Sequence, residues 1–223
     1  MNMFTQKIKE RRTEKRLSQE QVAKAIGVSR PTYTAIEAGK QKLDIEEAQK
    51  LAGLLGVSIE ELLSGSVPDY EKYKQMILAF LRMDKQITKT KLAKLLYFAD
   101  FGWFYYHLES MSGMQYRKIQ YGPVADSYFR IVDEMFDQGE INIEQTKDGA
   151  MLISQTRSGS KIPLSQLNKE EQKLMSKIEE KWKGKKTSEI VDFTHKQFPF
   201  MFAQDNEMVS YALFTQEDPD EIF

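Results

Sequence analysis

Over the first third of the chain, apolar residues recur at helical spacing in short, cleanly bounded runs. Val22, Ala23 and Ile26 form one stripe, Tyr33 and Ile36 a second, and Ala48, Leu51, Leu54 and Leu55 a third. Residues at this spacing share one face of an α-helix. Ser18 with Gln21, Asp44 with Glu47 and Ser58 with Glu61 stand at the capping-box interval, in which each end of the pair satisfies the other's backbone N–H. Ser29 is a further cap, and Pro31 falls in a first helical turn, where its missing N–H costs nothing. Gly27, Gly39 and Gly56 follow the runs and can take the left-handed conformation that stops a helix. These signals predict helices over 4–15, 18–26, 30–38, 44–54 and 58–63, with Ile8, Val28, Leu62 and Leu63 completing a small core. The second and third, joined by Gly27-Val28-Ser29, form a helix-turn-helix unit.

Ser64-Gly65-Ser66-Val67-Pro68-Asp69 breaks the pattern and predicts a linker. Beyond it, helices are expected over 70–83 and 90–109. Seven of the ten residues from 97 to 106 are aromatic, so this second helix should be buried on all sides. A stacking platform for bases or an anchor for a partner is the functional alternative, but Lys and Arg are not interleaved among the aromatics. Residues 115–121 read as an edge strand, after which Gly122-Pro123 turns the chain into a helix over 124–138. Alternating runs at 141–146 and 150–155 flank Lys147-Asp148-Gly149 and predict a hairpin. Helices follow near 168–183 and 188–197. The fold class is therefore mainly α with a small antiparallel β-sheet (α+β). Its divisions are 1–64, a linker at 65–69, a helical domain with a β-hairpin at 70–215, and an acidic tail at 216–223.

Composition narrows the setting. The 223 residues are 41% apolar and 29% charged and include no cysteine, which excludes disulfides and thiolate metal sites and suits a reducing cytoplasm. No apolar run approaches the ~18 residues of a membrane span, and the first residues lack the apolar core of a signal peptide. The net charge of −1 conceals an asymmetry. Residues 1–42 carry ten Lys/Arg against four Glu, whereas 205–223 carry six acids and no Lys or Arg. The basic segment suits a polyanion; a solvated surface is the plain alternative.

The caps, glycines and core positions of residues 3–64, with the Ile36-Glu37-x-Gly39 ending, resemble the Cro/phage-repressor type (XRE family) of five-helix, lambda-repressor-like DNA-binding domains. The resemblance implies that the second helix of the pair enters the major groove. Arg30, Pro31, Thr34 and Ala35 share the face opposite the Tyr33/Ile36 stripe, and Arg30 is its only long charged donor, which suits guanine recognition. Gln19 and Ser29 match positions at phosphate or the groove rim, and Lys40 and Lys42 are expected on phosphates. Arg12 and Glu37 match a structural ion pair between the first and third helices. A helix-turn-helix retained only as a dimer or protein-interaction module is the alternative.

Farther on, Lys91-Leu92-x-Lys94-Leu95-Leu96-Tyr97-Phe98-Ala99-Asp100, Tyr121-Gly122-Pro123-Val124 and Thr194-His195 resemble, in this order, the Panacea (SocA-like) domain of bacterial and phage antitoxins. The segment 197–202 departs from the tryptophan-containing pattern of that domain. The resemblance implies neutralisation of a cognate protein toxin by direct contact, and the fused helix-turn-helix implies repression of the chain's own operon. Tyr116 and Tyr121, on the 115–121 strand, are the candidate toxin anchors.

Catalytic chemistry has little support. His107 and His195 are the only histidines. His107 with Glu109, or Asp192 with His195, supplies two metal ligands where three or four are needed. No activated serine motif or phosphate loop accompanies them, so no catalytic residue, metal or cofactor is expected. His195 is expected to hold its helix by a buried hydrogen bond. The reading is a cytoplasmic antitoxin and repressor, dimeric on a two-fold operator and without membrane contact. Its rivals are a stand-alone phage or mobile-element regulator, whose second domain senses a ligand or dimerises, and a proteolytic adaptor.

Overall fold

Local caps set the first elements. Ser18 Oγ accepts the N–H of Gln21 (3.1 Å) while Gln21 Oε1 accepts that of Ser18 (2.8 Å), which starts α2 (Gln19–Ile26). Gly27, at φ +85°, ends it, and Ser29 Oγ then accepts from Thr32 N to start α3 (Arg30–Glu37). Asp44 and Glu47 close the same reciprocal box at α4 (Ile45–Leu55). Each such cap is worth ~1 kcal/mol, so the helix starts are specified by a few residues each.

A computed structural model describes residues 3–56 and 68–223. The expected helix at 58–63, its Ser58/Glu61 box, Leu62, Leu63 and most of the linker lie outside the described residues. The chain divides into two compact units, Met1–Val67 with Tyr106–Glu109, and Pro68–Tyr105 with Ser110–Phe223. In the first unit, α1 (Met3–Glu14), α2, α3 and α4 enclose a core of Ile8, Val22, Ile26, Tyr33, Ile36 and Leu51, with smaller residues between them.

In the second unit, α5 (Tyr70–Met83) and α6 (Lys89–His107) supply the largest apolar faces. From Lys91 to Phe104 every residue of α6 is buried, so the aromatic belt is core. The belt ends at Tyr105, which is half-buried, and Tyr106 is exposed. Phe101 stacks on Tyr211 (3.9 Å between centroids) and Phe98 on Trp182 (5.7 Å). Around α6 lie α7 (Tyr128–Asp137), α8 (Lys169–Trp182), α9 (Thr187–Lys196) and two short helices, α10 (Phe198–Phe202) and α11 (Tyr211–Phe214). The class is mainly α with small antiparallel sheets. One sheet has the order β1 (Gln86–Thr88), β5 (Met151–Gln155), β4 (Ile141–Gln145), and β2 (Tyr116–Ile119) pairs only with β3 (Gly122–Ala125) among the named strands.

Three expectations are corrected. Gly122-Pro123 does not open a helix: it begins β3, with Pro123 opposite Lys118, and α7 starts only at Tyr128. Gly122 takes φ +92°, which lets Gln120-Tyr121 form a tight hairpin turn. Nor is 115–121 an open edge. Lys118 N donates to Glu207 O and Val209 N to Tyr116 O, each at 2.8 Å, so 206–209 covers the second side of β2. Residues 216–223, expected as an acidic tail beyond the 70–215 domain, pack on that domain, because Ile222 is buried in the core and Gln197 Nε2 donates to the carbonyls of Glu221 and Ile222, at 3.1 Å each.

Candidate functional site

On the first unit the candidate surface is built on α3. Its inner residues Tyr33 and Ile36 are buried, which turns Arg30, Pro31 and Thr34 outward to solvent; Ala35 is half-buried. Ser29, the exposed cap, stands at the N-terminal end, where unpaired N–H groups and the helix dipole favour an anion. Thr34 Oγ1 donates to Gln19 Oε1 (3.2 Å) and to Arg30 O (2.9 Å). Gln19 Nε2 in turn donates to Glu37 Oε2 at 2.5 Å. Glu37 is buried and holds Arg12 through Nε to Oε1, 2.7 Å, and Nη2 to Oε2, 3.3 Å. The remaining Arg12 Nη1 donates to Leu17 O at 2.8 Å. Arg12 and Glu37 are thus the structural pair, and Gln19, half-buried, is fixed by it beside Thr34. The chain brings Gln19, Ser29, Arg30 and Thr34 onto two successive helices and their turn. Lys40 and Lys42 follow on the exposed loop after α3.

On the second unit, three distant segments meet. Lys94, fully buried on α6, donates to Pro123 O on β3 at 2.8 Å. Burial lowers its pKa to about 7, because an ammonium is costly away from water. Thr194 and Lys94 press on Gly122: a Cβ there would lie 2.6 Å from Thr194 Oγ1 and 2.8 Å from Lys94 Cε. Asp100 accepts from Ser110 Oγ (2.8 Å), Ser112 N (2.7 Å), Ser112 Oγ (2.5 Å) and Tyr116 OH (2.7 Å). Burial pushes its pKa up while these donors oppose the shift. Lys91 Nζ donates to the carbonyls of Trp182 (2.8 Å) and Lys185 (3.1 Å), closing the C-terminal end of α8. The charged residues of this motif therefore organise the interior.

Two site expectations change with that interior. Tyr116 is fully buried, its hydroxyl shared between Asp100 and Leu96 O (3.1 Å), so it presents no anchor to a partner. The alternation of β2 turns it toward α6, where Asp100 needs a donor. Tyr121, at the hairpin tip, is 57% exposed. His195 makes no helix-holding hydrogen bond through Nε2, which is buried without a partner. Its ring stacks on Phe200 at 4.3 Å, and burial, with Lys94 nearby, lowers its pKa. Among the described residues no cluster of three His, Cys, Asp or Glu could hold a metal, and no helix is long and apolar enough to cross a membrane.

Residues 8–62 match the helix-turn-helix family model, and residues 92–199 match that of the SocA-like antitoxin Panacea domain. The cryptic phage CTXphi transcriptional repressor RstR of Vibrio cholerae is 43% identical over 84 residues, 37% of this chain and 76% of RstR. The HTH-type transcriptional regulator YqaE of Bacillus subtilis (strain 168) is 36% identical over 63 residues, 28% of this chain and 54% of that protein. The SPbeta prophage-derived regulator YonR of the same organism is 36% identical over 69 residues, 31% and 64% of the two chains. The chain thus spans three quarters of RstR but under two thirds of YqaE and YonR. No solved structure matches the chain. A helix-turn-helix domain framed by the Arg12–Glu37 pair, followed by a domain whose Lys94, Gly122 and Thr194 meet, places this chain in the helix-turn-helix family of transcriptional regulators, joined to an SocA-like Panacea domain.

Proposed function

We propose that the chain is the antitoxin of a type II toxin–antitoxin system, acting in the cytoplasm, which binds a protein toxin through its second unit and represses its own operon through the first. The observation that carries this reading is the fusion itself: an outward α3 face bearing Arg30 and Thr34, in one chain with a Panacea domain. As a dimer on a two-fold operator, the protein sets α3 in the major groove. Arg30 reads guanine O6 and N7, Gln19, Ser29 and Thr34 set the helix at the groove rim, and Lys40 and Lys42 neutralise phosphates. Toxin contact centres on Tyr121, an exposed aromatic of the kind that dominates interfaces. Asp100, Tyr116, Lys91 and Lys94 have structural partners in the interior, and no catalytic step is assigned to them.

The test is to purify the full chain from its host and find a stoichiometric partner whose expression alone arrests growth. With that partner in hand, Arg30→Ala should abolish repression and keep protection, while Tyr121→Ala should do the reverse. Protection retained by Tyr121→Ala removes Tyr121 from the interface. A homo-oligomer with no toxic partner transfers the reading to a stand-alone regulator, which the phage and prophage regulators among the relatives favour.

A further inference from the structure

Below Tyr121 the second unit has a partly open cavity of about 440 Å³, bounded by the β2–β3 tip, the first turns of α6 and α7, and the β4–β5 turn. This is within the range of small-molecule sites, ~300–1,000 Å³. Ile119, Val124 and Tyr128 give it apolar walls, and Tyr121, Phe129 and Met151 stand exposed at its mouth. Exposed aromatics around an apolar hollow favour an apolar occupant. The charged residues lining it are Lys89 and Lys94, with no carboxylate among the lining residues. Lys89 is paired with Asp133 at 3.3 Å. Lys94 lies fully buried at the floor, where its Nζ donates to the Pro123 carbonyl, and among the described residues no carboxylate is paired with it. A buried cation without a counter-charge is costly, and an anion brought beside it relieves that cost.

We infer that this cavity is the site of a small, mainly apolar molecule with a single carboxylate, its hydrocarbon part between Ile119, Val124 and Tyr128 and its carboxylate directed to Lys94. Tyr121 at the mouth is shared with the proposed toxin surface, but the cavity and its Lys94 floor stand under either reading of the second unit. Calorimetric titration of the full chain with 4-phenylbutyrate and with 4-phenylbutanol tests it. The acid should bind about tenfold more tightly than the alcohol. Lys94→Met should erase that preference, and Ala150→Trp, which fills the mouth, should remove binding of both. Should Lys94→Met fail to fold, as read by circular dichroism, Ala150→Trp decides alone. Equal binding of acid and alcohol, binding of neither, or binding of the acid by Ala150→Trp overturns the inference. Binding of acetyl-Leu-Phe-Asp-amide in place of phenylbutyrate overturns it in favour of a polypeptide occupant.

Discussion

Arg12 on α1 and Glu37 on α3 meet through two hydrogen bonds, and the same carboxylate takes the Gln19 amide from α2. One buried acid therefore ties three helices and sets the side chain that faces Thr34. Replacing Glu37 by alanine leaves the Arg12 guanidinium, 14% exposed, without its partner. Loss of one member of a buried pair costs ~3–5 kcal/mol, and the partial exposure of Arg12 places the expected loss near the lower end. Denaturant unfolding of the first unit measures it, and a loss under about 1 kcal/mol, the size of an exposed pair, would deny the pair a structural role.

Arg30→Ala should weaken operator binding by roughly 1–3 kcal/mol and relax selectivity at one base pair, since a bidentate arginine–guanine contact discriminates by that amount. Lys40→Ala should instead weaken binding evenly across sequences and reduce the slope of log affinity against log salt by about one contact. Fluorescence anisotropy over a salt series separates the two. A uniform loss for Arg30→Ala would make it a phosphate contact.

Gly122→Ala places a methyl 2.6 Å from Thr194 Oγ1 and 2.8 Å from Lys94 Cε, at a φ of +92° that side chains rarely adopt. Strain at such a position and the forced shift of packed groups each cost of order 1–3 kcal/mol. The second unit should lose at least that much in thermal or denaturant unfolding. Adding Thr194→Ala should recover part of the loss by removing the nearest atom, so an unchanged double variant would place the cost in the backbone and the Lys94 contact.

Lys94 carries a pH dependence. Burial lowers its folded-state pKa from 10.5 to about 7. Between these values the unfolded chain holds a proton that the folded chain has released, so stability rises with pH through that window. Below about 7 both states hold the proton, and the full cost of the buried charge is carried. The stability of wild type relative to Lys94→Met should therefore improve steadily from neutral to alkaline pH in thermal melts. A constant difference would mean that the ammonium keeps its proton inside the fold.

The first unit was readable because its instructions are short-range. Ser18, Ser29 and Asp44 cap helices whose partner N–H groups lie three residues away, and a stripe such as Val22, Ala23 and Ile26 has few ways to be buried. Arg30 and Thr34 faced outward as their spacing required. The aromatic density of 97–106 likewise announced a buried helix, and burial runs unbroken to Phe104 before Tyr105 is half-buried and Tyr106 exposed.

The misread places are those where one residue answers to a distant one. Tyr116 looked like an interface anchor until Asp100, sixteen residues earlier, claimed its hydroxyl. Gly122-Pro123 has the composition of a helix start, yet Lys94 takes the Pro123 carbonyl and Thr194 crowds Gly122, so the segment becomes a strand. The acids of 216–223 suggested a tail outside the domain, but Ile222 is anchored in the core.

By itself, then, the sequence determined α1 to α4 of the first unit, their outward face, the buried belt of α6 and the mainly helical class. Those follow from local capping and apolar periodicity, which act over a few residues. The tertiary structure alone decided that Lys94, Gly122 and Thr194 share one interior, that Gln19 is held by Glu37, and that a cavity opens beneath Tyr121. Such arrangements depend on which buried polar groups find partners, and that is settled only when segments far apart in the chain compete for the same desolvated space.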